Sequence, residues 1–289
     1  MAGADYAGRV HRVMDHVRRD LTGDLDLTTL ARVAHFSPYH FHRVFKAVAG
    51  ETLTAFVQRA RLERAAYLMK AAPARPLGSI ALEVGFSAQS DFNRVFRRRY
   101  GLAPGDWDRA SRLDDRPLVD DLEAIKRAWL KEHVPKATVV SRPACRLLYA
   151  RTRGPFQVDA LREGYAALTA WLSGRGVDWR TRPLVGLSWD HYETTPLDQV
   201  RYDLGFSVDE GLAPEGAFGV HMLPAARAVE VRCVGPLVAV AVAWDYLYDE
   251  WLPRSGREPA ELPALKRFHT LPDALAWASW DVSCSIALK

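Results

Sequence analysis

A chain of 289 residues that is 48% hydrophobic and 26% charged can build two domains with cores of their own, which excludes a disordered or fibrous polymer. The longest apolar run, Pro236 to Trp244, falls well short of the roughly 18 residues a membrane span needs, and Asp5 and Arg9 precede any apolar stretch, so neither a membrane partner nor a signal peptide is expected and the compartment expected is the cytoplasm. The net charge of +4 is unevenly spread: residues 1–112 carry 18 Lys and Arg against 11 Asp and Glu, and residues 113–289 carry 21 against 24, so a polyanion would bind the first half.

The first half contains a repeat. Residues 30–50 and 80–101 each read as a short helix, a Phe-Ser pair, a Phe-x-Arg-Val-Phe helix and a glycine, with Arg43 matching Arg94 and Gly50 matching Gly101. Ser37 and Ser87 stand where helix N-caps are needed, and Pro38 suits a first helical position. Phe41, Val44, Phe45 and Val48 fall on one face of the first Phe-x-Arg helix, as do Phe92, Val95 and Phe96 in the second. The opposite faces carry Tyr39, His42, Arg43 and Lys46, then Ser90, Asn93, Arg94 and Arg97, with Gln89 one turn before Asn93. An apolar back with a basic, hydrogen-bonding front is what a helix reading the major groove requires. Between the two units, Thr54 to Met69 follows a helical pattern of 16 residues, roughly 24 Å long. Successive major grooves on one DNA face repeat about every 34 Å, a span such a helix nearly covers, the shortfall being met by DNA bending.

These residues resemble the DNA-binding domain of the AraC/XylS family of transcription regulators. The resemblance runs over residues 5–110 and rests on Leu30-Ala31, the run Phe36 to Phe45, Ile80 to Phe86, Phe92-x-Arg94-Val95-Phe96, Gly101, Pro104 and Trp107. It departs at the end, where Asp108 separates Trp107 from Arg109. It implies that each unit enters one major groove of an asymmetric site, with base contacts from Tyr39, His42, Arg43, Gln89, Ser90, Asn93 and Arg94. His40, Lys46 and Arg97 complete the expected DNA-binding set. His35, His40 and His42 cluster within the first unit and read as turn, packing and DNA-contact residues, not as metal ligands.

Residues 113–136 are charged and poor in glycine; Leu122, Ile125, Trp129 and Leu130 suggest a connecting helix ended by Pro135. From Ala137 onward a second duplication appears. Arg151-x-x-Gly154-Pro155 matches Arg232-x-x-Gly235-Pro236, and Trp171-Leu172 matches Trp251-Leu252. Strand candidates are Cys145–Thr152, Leu184–Trp189 and Tyr202–Val208, then Ala228–Val234, Ala264–Phe268 and Ser279–Leu288, giving β-α-β-β twice with the helices on one face of a sheet. The expected whole is therefore an all-α domain with two helix-turn-helix units (1–112), a linker (113–136) and an α+β domain of duplicated β-α-β-β units (137–289). Cys145, Cys233 and Cys284 have no metal or disulfide spacing and read as small buried apolar residues.

The second domain resembles the GyrI-like small-molecule-binding domains. The residues are Arg201-Tyr202-Asp203, Gly219-Val220, Arg232-x-x-Gly235-Pro236 and Trp244-x-x-Leu247-Tyr248-x-x-Trp251-Leu252-Pro253-x-Ser255-Gly256. Placed after an AraC-type domain, it resembles the arrangement of the Rob subgroup. Candidate aromatics for a pocket between the repeats are Tyr149, Trp189, Tyr192, Trp244, Tyr248, Phe268 and Trp280. Relatives that bind cationic drugs carry a glutamate facing the ligand where this chain has Lys266, so the ligand expected is neutral or anionic, or absent, unless Glu193 supplies the carboxylate. The resemblance implies duplex DNA, a small-molecule effector and RNA polymerase as partners. No GxGxxG, P-loop, HExxH or GxSxG is present, and neither an enzyme nor a cofactor or metal is expected. The alternative is a GyrI-like domain acting as a small-molecule hydrolase or a drug-sequestering module.

Overall fold

The computed structural model describes residues 6–107, 122–153, 158–190, 200–214, 216–260 and 262–289. The chain divides into two compact units, the first comprising Met1–Asp114 and Pro214–Gly219 and the second Asp115–Ala213 and Val220–Lys289.

The N-terminal segment of the first unit is all helical. Its elements are α1 (Tyr6–Arg19), α2 (Leu27–Val33), α3 (Pro38–Ala49), α4 (Leu53–Ala71), α5 (Leu77–Glu83) and α6 (Gln89–Tyr100). Asp26 caps α2 by accepting from the Thr29 amide at 2.7 Å, and Ser37 and Thr52 cap α3 and α4 in the same way. Ser37 thus stands where it was expected, with Pro38 in the first turn. Ser87 does not: the cap position of α6 falls on Ala88, with no side-chain hydrogen bond. The extra residue before the second Phe-x-Arg motif moves the helix start one step along. Gly50 and Gly101 end α3 and α6 in the left-handed conformation, which lacks the Cβ penalty in glycine.

Two cores form, and α4 serves both. Its first half gives Leu53, Phe56 and Val57 to a core with Val10, Val13, Leu30, Phe41 and Phe45. Its second half gives Leu62, Ala65, Leu68 and Met69 to a core with Ile80, Val84, Phe92, Phe96 and Trp107. A helix that buries different faces at its two ends shows no single apolar stripe. At its middle, buried Arg59 bridges Glu63 (2.6 Å) and Glu51 (2.5 Å), while Arg18 reaches Glu63 at 2.8 Å. With 19 residues α4 is about 28 Å long, closer to the major-groove repeat than the sequence pattern indicated.

The second unit holds α7 (Leu122–Leu130), β1 (Ala137–Arg142), β2 (Cys145–Arg153), α8 (Val158–Ser173), β3 (Leu184–Ser188), β4 (Arg201–Ser207), β5 (Phe218–Leu223), β6 (Ala226–Gly235), α9 (Leu237–Asp245), α10 (Leu252–Ser255), β7 (Ala264–Phe268) and β8 (Trp280–Ala287). α7 stops at Leu130, five residues before Pro135; the His133 ring stacks on Trp129 at 4.0 Å. It packs on α9, and Lys126 pairs with Asp245 at 2.6 Å. A π-helical segment, Tyr246–Trp251, joins α9 to α10. Pro253 cannot donate to the turn before it and crowds that turn's carbonyl, which the wider winding relieves.

The eight strands form one sheet in the order β1-β6-β8-β7-β3-β4-β2-β5. The two β-α-β-β copies expected from the sequence are β2-α8-β3-β4 and β6-α9-β7-β8, joined where β3 pairs antiparallel with β7. Each copy also owns a leading strand that the sequence did not reveal. The strand before β2 is β1, and it pairs with β6 of the other copy; the strand before β6 is β5, and it lies beside β2. The duplication is therefore β-β-α-β-β with exchanged edge strands.

Candidate nucleic-acid interface and effector site

On α3 the apolar back is buried (Phe41, Phe45, Ala49), and Tyr39, His40, His42, Arg43 and Lys46 are all exposed, Tyr39 at 71%. The Arg43 guanidinium lies 5.9 Å from the Tyr39 ring centroid, one turn away. On α6, Phe92, Val95 and Phe96 are buried, while Gln89, Ser90, Arg94 and Arg97 are exposed. Arg94 is ion-paired with Asp91 one turn back. Asn93 is only half-exposed, and its side-chain oxygen is buried without a partner. It lies on the flank of α6 that turns toward α5, where the Gln89 amide oxygen comes within 2.9 Å of the place a Cβ on Gly78 would take. The two units also match at the turn between their helices: His35 (φ 51°) and Gly85 (φ 89°) occupy equivalent positions, both left-handed.

In the second unit the expected pocket residues do not converge on one place. Strand alternation and register decide this. Gly186 on β3 stands opposite both Leu204 on β4 and Lys266 on β7, and Lys266 stands opposite Cys284 on β8. Tyr202, Gly186, Lys266, Phe268, Trp280, Cys284 and Cys233 therefore share one face. Tyr149, Arg151 and Asp203 alternate onto the other, and Trp189 joins them. Trp244, in the last turn of α9, and Tyr248, in the π-helical segment that follows, stack on each other at 5.9 Å. Tyr192 and Glu193 lie outside the described residues.

The Tyr149 face holds a buried ion network. Asp203 is fully buried and accepts from Arg151 (2.6 and 2.7 Å), from the Trp189 indole N–H (2.6 Å) and pairs with His221 Nε2 (2.8 Å). His221 stacks on Tyr149 at 4.1 Å, nearly parallel. Burial alone would raise the Asp203 carboxyl, but the Arg151 charge, the Arg151 hydrogen bond and His221 together hold it well below the usual carboxylate range. Beside it, buried Asp190 accepts from the Arg201 guanidinium at 2.7 and 2.5 Å. Tyr149 and Trp189 thus serve a buried ion-paired core, as does His221, which no sequence signal linked to Asp203 eighteen positions away.

The Lys266 face is unlike it. The Lys266 ammonium sits 4.3 Å from the centroid of the Tyr202 ring. Burial pushes its pKa down, opposed by the thiols of Cys284 and Cys233. Tyr202 is 1% exposed, and its hydroxyl, raised well above its ordinary pKa by burial, has no hydrogen-bond partner. Phe268 and Trp280 pack edge to face at 6.1 Å. The cysteines are not uniformly apolar filler. Cys284 is buried, but Cys145 and Cys233 are half-exposed, and a hydrogen bond from Cys284 lowers the Cys233 thiol. Among the described residues no group of three His, Cys, Asp or Glu could hold a metal ion, and no helix is long and apolar enough to cross a membrane.

Residues 30–110 match the family described as "Helix-turn-helix domain", and residues 135–282 match the "GyrI-like small molecule binding domain". Over 107 residues the chain is 32% identical to the bifunctional transcriptional activator/DNA repair enzyme AdaA of Bacillus subtilis, covering 37% of this chain and 50% of AdaA. It is 31% identical over 107 residues to the transcriptional regulator Rob of Salmonella typhimurium, covering 37% of each. It is 31% identical over 83 residues to the regulatory protein SoxS of Escherichia coli, covering 29% of this chain and 77% of SoxS. The chain thus spans half or less of the length of AdaA and Rob. The first unit is a tandem helix-turn-helix domain, and the second is a duplicated α+β sheet domain. The chain belongs to the AraC/XylS family of helix-turn-helix regulators and carries a GyrI-like C-terminal domain.

Proposed function

We propose that this chain is a sequence-specific DNA-binding transcription regulator whose C-terminal domain takes a small-molecule effector. One observation carries the reading: two equivalent helices, α3 and α6, each bury an apolar back in a separate core and expose a basic front, and the two cores are joined by the single helix α4. Arg43, Lys46, Arg94 and Arg97 supply phosphate and guanine contacts, and Tyr39, His40, His42, Gln89, Ser90 and Asn93 the remaining groove contacts. Residues 1–112 form the DNA-binding domain, 113–136 the connection and 137–289 the effector domain. RNA polymerase is the macromolecular partner that the AraC-type arrangement implies at the promoter.

The test is a binding-site selection from random and genomic duplexes with the full chain, with and without a panel of small molecules. A defined asymmetric site with two contact regions about one helical turn apart is expected, with an occupancy that some compound shifts. Equal affinity for selected and random duplexes would defeat sequence-specific recognition.

A further inference from the structure

Lys266 and Tyr202 lie together on the sheet face where β3, β4 and β7 meet. Lys266 has no carboxylate or hydrogen-bond acceptor against it among the described residues; the titratable groups acting on its charge are the thiols of Cys284 and Cys233. The Tyr202 hydroxyl is buried and equally unpartnered. The chain makes room for that hydroxyl at a position where it gains no bond: it lies 1.7 Å from where a Cβ on Gly186 would sit, so only glycine admits it. Burying a hydroxyl without an acceptor is costly, and a half-buried ammonium gains from a counter-charge. On the opposite face the same sheet satisfies Asp203 and Asp190 completely with Arg151, His221, Trp189 and Arg201. The Tyr202 hydroxyl thus lacks an acceptor and the Lys266 charge lacks a carboxylate among the described residues, and Phe268 and Trp280 supply aromatic surface on that same face.

We propose that the effector site of this domain selects an organic anion, a planar carboxylate or one of like charge, whose oxygens accept from the Lys266 ammonium and the Tyr202 hydroxyl. The inference rests on the effector-binding reading given above and names the ligand class for it. An incoming cation meets a resident ammonium already seated on the Tyr202 ring. A neutral amide of the same shape gains the hydrogen bonds but not the charge pairing.

Three isosteric probes separate these cases: 2-naphthoate, 2-naphthamide and 2-naphthamidinium, titrated calorimetrically into the full chain. Naphthoate is expected to bind at least 10-fold more tightly than naphthamide, with no measurable naphthamidinium binding. Lys266→Met should erase the preference for naphthoate over naphthamide, and Lys266→Arg should keep it. Tyr202→Phe should weaken naphthoate several-fold while leaving the thermal midpoint of the free protein unchanged or raised, because the hydroxyl makes no bond in its absence. A merely structural tyrosine would instead lower the midpoint and leave the probe ratio alone. Naphthamidinium binding as tightly as naphthoate, or a ratio indifferent to Lys266→Met, overturns the anion site but leaves an effector pocket in place. Failure of all three probes to bind any of these proteins removes the pocket itself, and operator binding in the same preparations shows whether the DNA-reading role stands without it.

Discussion

The carbonyl oxygen of Leu21 lies 2.2 Å from the place a Cβ on Gly85 would occupy. Arg61 on α4 donates to that same oxygen through Nε and Nη2 at 3.1 and 2.9 Å, so the chain after α1 is pinned against the turn of the second helix-turn-helix unit. Gly85 is left-handed as well (φ 89°), and an alanine there meets two penalties at once. The left-handed backbone alone costs about 1–2 kcal/mol for a residue with a Cβ, and here backbone must also move. Gly101 has a similar φ (78°) but nothing within 4 Å. Gly85→Ala is therefore expected to destabilise the first unit by clearly more than Gly101→Ala, which should lose only the backbone term. Thermal unfolding of the full chain tests this in the transition that operator duplex shifts upward. Equal losses at the two glycines would show that the Leu21 approach is soft.

Arg43 and Arg94 occupy equivalent places, but their surroundings differ. Arg43 stands over the Tyr39 ring, whereas Arg94 is held by Asp91, an acid that a DNA phosphate or base must displace. Each alanine substitution should weaken operator binding by about 1–3 kcal/mol and relax specificity in its own half of the site. Asp91→Asn should strengthen binding to random duplex by freeing Arg94 and removing a like charge from the interface. Electrophoretic mobility shift across a salt series is the measurement, and affinity should fall steeply with salt in every variant. An Asp91→Asn protein that binds random duplex no better would mean that the pair does not form when DNA is absent.

The DNA-reading helices and the β-α-β-β duplication were legible because each rests on a local period. Phe41, Phe45, Phe92 and Phe96 mark helical backs, and Ala264–Phe268 was read to the residue as a strand. The edge strands β1 and β5 were not legible. Val139 and Met222 point to solvent from them, so no apolar alternation marks their course, and their partners belong to the other repeat. The aromatic pocket candidates were drawn together by residue type, whereas the face each occupies depends on register across five strands, which spacing along the chain does not encode. Tyr202 and Asp203 were visible as a motif, yet adjacent strand residues point in opposite directions: one joins Lys266 and the other His221. Lys266 itself could be singled out because a charge reversal within a matched motif is visible in the letters alone.

Gly186 and Tyr202 should behave as one unit in stability measurements. A Cβ at Gly186 would lie 1.7 Å from the Tyr202 hydroxyl oxygen and 2.4 Å from Cζ. In an ordinary strand, replacing glycine by alanine gains stability through the unfolded chain; here overpacking should reverse the sign and cost about 1–3 kcal/mol. Shortening the tyrosine to leucine in the Gly186→Ala background should recover part of that loss, although Tyr202→Leu alone destabilises by opening a cavity. The coupling in the double-mutant cycle is expected to be about 0.5–3 kcal/mol in the favourable direction. Simple additivity in urea denaturation would show that the ring turns aside without cost.

Asp203 sets the acid sensitivity of the second unit. Its carboxylate is buried against Arg151, whose side chain is itself 3% exposed, so removing the acid strands a desolvated guanidinium. Asp203→Ala should destabilise this unit by about 3–5 kcal/mol at neutral pH, read as a lower urea midpoint in the transition that operator DNA does not shift. The pH dependence follows from the depressed carboxyl. An unfolded aspartate titrates near 3.9, and the folded one below it, so the unfolded chain takes up the proton first as acid is added. The stabilisation is complete above about pH 5 and disappears as pH falls from there through the folded value. The gap between wild type and Asp203→Ala should therefore stay constant from pH 7 to about pH 5 and narrow below about pH 4. A gap that widens in acid would mean that Asp203 is protonated in the folded protein before it is in the unfolded one, which is incompatible with an ion pair to Arg151.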